Sequence, residues 1–272
     1  MSIKNNITSL QSLLEQVNAL PEAENLDEEL TTQSTLLSEQ DAKIAELADI
    51  LAGKAAGSGN GYEEVDALIT MTLSECTNSR VSSIGNFGFF YANNLTTVNF
   101  PNCTNIGTSA FAQCSKLNSV SFPKCTTIGS NAFTYCFSLI SASFPVCTNI
   151  NTWAFYSCKS LTYANFPNCT TIGSCAFSIC SNLTSVNFPK CTTIGSSAFR
   201  NCCNLSQFYL TGSSVCKLSN SNAFSSTPYA GYSASFSGTP YIYVPQSLLT
   251  SYQTATNWTY FSSYFSAVEG GT

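Results

Sequence analysis

A chain of 272 residues with 44% hydrophobic side chains has room for one or two domains with a real core, yet only 9% of it is charged and it contains no histidine. Fourteen of the fifteen acidic residues lie at or before Glu75, beside Lys4, Lys43 and Lys54, so residues 1–75 carry −11 and residues 76–272 carry +6. A surplus of six without a basic run argues against nucleic acid, and no apolar run of about 18 residues offers a membrane span.

The chain opens with Ile3, Ile7, Leu10, Leu14 and Val17 at alternating steps of four and three, the seam spacing of a coiled coil, until Pro21 stops the pattern. A second heptad stretch sets Leu30, Leu37, Ile44 and Leu51 seven apart, with Gln33, Gln40 and Leu47 between them and acidic residues outside. Alone, such a stripe stays unburied. Residues 1–51 are therefore read as an oligomerisation and anchoring segment. A trimer is favoured because β-branched Ile3 and Ile7 fill both seam positions, the alternative being a helix folded back on the rest of the chain. Residues 52–61 are glycine-rich and aperiodic, a linker, and residues 62–272 form the second domain, opened by an N-terminal cap. Met1 to Asn6 leads into an amphipathic pattern instead of an apolar core, so no signal peptide is expected and most cysteines are read as reduced.

From Val81 to Leu210 one pattern returns every 22 residues. Phe-Pro recurs at Phe100-Pro101, Phe122-Pro123, Phe144-Pro145, Phe166-Pro167 and Phe188-Pro189, and cysteine recurs every 11 residues from Cys103 to Cys202. A period of this length predicts a solenoid of stacked coils. Within each coil Leu117, Val120 and Phe122 and their equivalents read as a short parallel strand, while Cys125, Ile128, Ala132, Phe133 and Cys136 read as inward residues on tight helical turns. Gly85, Gly107, Gly129, Gly173 and Gly195 share one slot with Asn151, which predicts a left-handed corner there.

Catalysis has little to work with. There is no histidine, and Val81 to Leu210 holds no Asp or Glu, so acid/base pairs and Ser-His or Cys-His arrangements are ruled out there. A serine or cysteine beside Lys116, Lys124, Lys159 or Lys190 is the one arrangement left, and each of those lysines reads more simply as solvated surface. Metal sites need converging ligands, whereas an 11-residue rhythm gives two parallel columns of buried thiols, so neither metal nor cofactor is expected. Cys175, Cys203 and Cys216 stand off the columns and are where a reactive thiol is to be sought. The candidate binding residues are Tyr135, Phe137, Trp153 and Tyr156, large aromatics where other coils carry small polar residues. They read either as a recognition surface or as packing against each other or a second subunit.

The unit Ile128-Gly129, Ala132-Phe133, Cys136 and its equivalents resembles the BspA-like leucine-rich repeats over residues 81–224. Residues 241–258, with Tyr-Ile-Tyr-Val-Pro and Asn257-Trp258, resemble the capping segment of that family. The resemblance implies a surface-exposed recognition scaffold, often bacterial and adhesive. Leu-Pro-Glu-Ala-Glu-Asn-Leu at 20–26, Leu-Thr-Thr-Gln at 30–33 and Gly-Lys-Ala-Ala-Gly at 53–57 resemble N-terminal segments of virion and tail-fibre proteins from phages of gut bacteria. Together these readings give a non-enzymatic virion fibre that meets a host-surface protein or glycan through its repeats and other virion proteins through its N-terminal segment. A bacterial cell-surface adhesin is the alternative.

Overall fold

The computed structural model describes residues 75–77, 79, 81–231 and 239–269. The seam positions from Ile3 to Leu51 and the linker lie outside the described residues.

Each 22-residue coil hydrogen-bonds to its neighbours along three runs. The first is a three-residue strand, such as Thr97–Asn99, whose partner one coil on is Ser119–Ser121 in parallel register. The second is a two-residue strand ending in the buried isoleucine. Seven of these, from Ser83–Ile84 to Lys217–Leu218, form one unbroken parallel sheet. The ladder of first strands divides between Ser119–Ser121 and Ser141–Ser143, where half-buried Val120 lies. Glu75–Thr77 adds a strand before Thr97–Asn99, with Cys76 paired to Val98.

The third run is not a helix. N–H groups of Ala110, Ala112 and Cys114 bond back three residues, but those of Ser109, Phe111 and Gln113 reach forward to Ser130, Ala132 and Thr134 of the next coil. Half the donors a helix would use are thereby committed between coils. The chain bends to release them by taking left-handed angles at two residues per coil, such as Ser109 (φ 54°) and Gln113 (φ 65°), Asn131 (58°) and Tyr135 (62°) or Trp153 (59°) and Ser157 (60°). The expected corner at Gly129 and Asn151 is corrected by this: neither has positive φ, and the left-handed residues follow two positions later.

What holds glycine in that slot is the neighbouring coil. A Cβ on Gly129 would stand 2.5 Å from the carbonyl carbon of Gly107, and one on Gly173 2.6 Å from both the carbonyl carbon of Asn151 and the amide nitrogen of Thr152. Asn151 is the exception, and its N–H to Ile128 is 3.1 Å where Gly129 and Gly173 make the same bond at 2.8 Å. Gly173→Ala is accordingly expected to cost about 3 kcal/mol, the upper range for overpacking against backbone. Thermal unfolding measures it, and a loss under about 1 kcal/mol would show that coil spacing yields freely.

The core is a run of fully buried side chains. Phe111, Phe133, Phe155, Phe177 and Phe199 stack in one column with centroids 5.1–5.4 Å apart, and Phe100, Phe122, Phe144, Phe166 and Phe188 form a second column beside it. Outside the core, threonines bind coils together: the hydroxyls of Thr104, Thr126, Thr148, Thr170 and Thr192 each donate to the carbonyl 22 residues earlier. At the C-terminal end Tyr229, Tyr252, Trp258 and Phe261 close the core. Trp258 Nε1 donates to the Cys216 carbonyl at 2.6 Å, and the Cys216 N–H donates to Tyr252 Oη at 2.9 Å.

Candidate functional site

The fourteen cysteines are free thiols, and the two columns do different work. Cys103, Cys125, Cys147, Cys169 and Cys191 donate to the carbonyl two residues on, at 3.2–3.4 Å. Cys114, Cys136, Cys158, Cys180 and Cys202 instead reach across the coil interface to the carbonyl of the stacked phenylalanine 25 residues earlier, as from Cys136 to Phe111 at 3.1 Å. A small apolar residue with a weak donor satisfies both demands, and this is why cysteine fills the slot. Of the off-column thiols, Cys175 and Cys203 are half-exposed, while Cys216 is fully buried with its sulfur 3.6 Å from that of Cys191. The search for a reactive thiol therefore narrows to Cys175 and Cys203, with Cys216 a packed residue. Among the described residues, no three His, Cys, Asp or Glu side chains are grouped as a metal site.

The lysines are tied down. Lys116, Lys124 and Lys190 each donate to an asparagine 22 residues back, at 3.3, 2.7 and 2.7 Å, and the Lys159 ammonium lies 5.3 Å from the Phe137 ring centre. None is held against a nucleophile.

The turn run places the aromatics. Tyr135 lies 5.7 Å from Phe137 and 5.6 Å, edge to face, from Tyr156, so three of the four expected residues meet. Trp153, 46% exposed, makes no ring contact with them. Sequence reasoning missed Phe87 and Tyr91, both exposed. Phe87 and Trp153 occupy the first left-handed slot of their coils, and Tyr91 and Tyr135 the second. Tyr91, Gln113 and Tyr135 are spaced by 22, so they stand in one file along the solenoid. That spacing was the available signal. With Asn93, Ser115 and Phe137 they line a cleft of about 330 Å³.

The sequence signature described as BspA type leucine rich repeat region, in six copies, matches residues 68–168 and 104–230, more than half of the chain. The chain belongs to this family. Among solved structures it is similar to a leucine-rich repeat protein from Bacteroides ovatus, at 27% identity and TM-score 0.51 over 64% of this chain and 44% of that one. It is also similar to one from Eubacterium ventriosum, at 26% identity and TM-score 0.50 over 62% of this chain and 45% of that one. A leucine-rich repeat protein of T. pallidum matches at 27% identity and TM-score 0.48, over 52% of this chain and 71% of that one. The chain thus spans less than half the length of the first two. No curated protein matches it. The BspA-type repeat accounts for the short parallel strands and the sparse helix.

Proposed function

We propose that this BspA-type protein is a non-catalytic recognition scaffold of the bacterial cell surface, which binds a host-surface or neighbouring-cell ligand through the exposed aromatics of its turn face. One observation carries the reading. Phe87, Tyr91, Tyr135 and Trp153 are exposed bulky residues at positive φ, a conformation that costs side chains of this kind roughly 1–2 kcal/mol each. In the same slots other coils use Asn131, Asn201 and Ser109, which bear those angles more easily. Strain retained at bulky residues that still face solvent points to a surface kept for contact.

Trp153→Asn is expected to raise stability by about 1 kcal/mol, since Asn131 holds the same slot one coil earlier. Replacing all four aromatics with serine is expected to lower retention of protein-coated beads on intact bacterial and epithelial cells by at least about tenfold. Unchanged retention in a stable four-serine variant would remove the reading.

The heptads of residues 1–51 support a separate proposal, a homotrimer with Gln33 and Gln40 paired across the axis. In a virion fibre the same segment would anchor the chain to other virion proteins. The cell-surface placement is preferred because family membership bears on the repeat body, whereas the virion reading draws on the N-terminal segment alone. Leu37→Asp with Ile44→Asp in the full chain is expected to lower the mass from light scattering about threefold, because two charges enter the seam. An unchanged mass would dismiss the trimer.

A further inference from the structure

Resting on the recognition reading above, we propose that the cleft between Tyr91 and Tyr135 is a binding site for a neutral carbohydrate. Tyr91 and Tyr135 belong to coils two apart, so at about 4.8 Å per coil they stand roughly 10 Å from one another. Gln113 of the intervening coil lies between them. All three have left-handed backbone, with φ of 64°, 65° and 62° for Tyr91, Gln113 and Tyr135, and the same corner geometry brings each of them to the rim of the cleft. The Gln113 carboxamide makes no hydrogen bond among the described residues. Asn93 accepts from the Ser115 hydroxyl at 3.0 Å, which leaves its amide nitrogen to donate. The result is a lining that combines aromatic rings with two carboxamides.

The chemistry of this lining selects its ligand. It carries no charged side chain, and the repeat body from Val81 to Leu210 holds no carboxylate to attract a cation. Lys116 and Lys159, at adjoining positions, are engaged with Asn94 and with the Phe137 ring. With no ionic partner in the lining itself, the matching ligand is a neutral one, and it must offer apolar faces to two tyrosines and groups that both donate and accept to two carboxamides. A sugar ring has a C–H face and a rim of hydroxyls that do both. The volume of about 330 Å³ is at the small end for ligand clefts and suits roughly one or two rings. An extended peptide could also match the carboxamides, but it would need a longer groove than a cleft of about 330 Å³.

The test uses full-length protein titrated with neutral gluco-, manno- and galacto-oligosaccharides of about two to five units, with a sialylated oligosaccharide and a proline-rich peptide alongside. Tyrosine fluorescence and calorimetry give the readout. At least one neutral oligosaccharide is expected to bind, with affinity lowered about tenfold or more by Tyr91→Ala, by Tyr135→Ala and by the shape-conserving Gln113→Leu, and not by Tyr260→Ala at an exposed tyrosine of the C-terminal cap. Absence of binding to every neutral sugar, equal affinity in the Gln113→Leu and Tyr135→Ala variants, or binding of the proline-rich peptide alone would each overturn the assignment. Bead retention separates the two readings. If Tyr91→Ala with Gln113→Leu leaves retention intact and no sugar binds, the carbohydrate site is wrong while surface recognition stands.

Discussion

Phe133→Ala is expected to lower the unfolding free energy by about 4–5 kcal/mol, near the top of the range for truncating a buried aromatic. Phe133 is fully buried and stacked between Phe111 and Phe155 at 5.3 and 5.1 Å, with Phe122 and Phe144 beside it at 6.4 and 6.1 Å. Each such pair contributes roughly 0.5–1.5 kcal/mol beyond the area it covers. The main-chain bonds of the residue, its N–H to Ala154 and its carbonyl from Cys158, do not depend on the ring, so the loss reports the side chain. Because a solenoid is held by nearest-neighbour interfaces, a cavity in an interior coil also weakens the coupling between the parts on either side of it. Denaturant unfolding is expected to pass from one transition to two. Phe89, whose ring neighbours among the described residues are Phe100 and Phe111, is the comparison, and its truncation should cost less and leave a single transition. A cost under about 2 kcal/mol for Phe133→Ala would mean that the phenylalanine column fills space without setting stability.

The repeat was legible because a period of 22 brings chemically identical residues into register, so Leu117, Ile128 and Phe133 declared themselves inward by repetition. What a single chain does not reveal is the distance to the next coil. The glycine slot invited an argument from backbone freedom, whereas the controlling fact is a carbonyl carbon 2.5 Å from the missing Cβ of Gly129. The true left-handed positions were hidden by their occupants, since Trp153, Ile179 and Tyr91 are residues rarely given positive φ. The proposed binding site was half legible. Tyr135 and Phe137 stood out as aromatics, but Gln113 reads in sequence as an ordinary surface residue and gains meaning only from the tyrosines 22 residues to either side. The burial of Cys216 was hidden for a related reason: Thr193 pairs with Lys217, 24 residues on, so the last coil leaves the period and a cysteine off the sequence columns returns beside Cys191.

The second large effect is alkaline unfolding, and the thiol columns cause it. Burial pushes the Cys76, Cys125, Cys147 and Cys169 thiols up to about 12. It also raises Cys103, and it holds Cys136, Cys158 and Cys202 well above the ordinary thiol range. Cys191 is raised first by its hydrogen bond with Cys216 and then by burial. In the unfolded chain a thiol ionises near 8.5, as ordinary cysteine does. Below that pH both states keep their protons and stability is level; above it the unfolded chain releases protons that the folded chain retains, so stability falls as pH rises. The slope is about 1.4 kcal/mol per pH unit for each thiol. Nine thiols acting together remove roughly 12 kcal/mol within about one pH unit, comparable to the whole stability of an ordinary domain at about 5–15 kcal/mol. Burial raises Tyr252 and Tyr229 in the same direction. The protein is therefore expected to lose its circular dichroism signal steeply between about pH 9 and 10.5 and to refold when returned to neutral pH. At pH 8 a thiol reagent is expected to modify half-exposed Cys175 and Cys203 quickly and the buried columns only as the chain opens. A fold that stays intact at about pH 11, or column thiols that react at pH 8 as fast as Cys175, would show that the sulfurs are not sealed in the core.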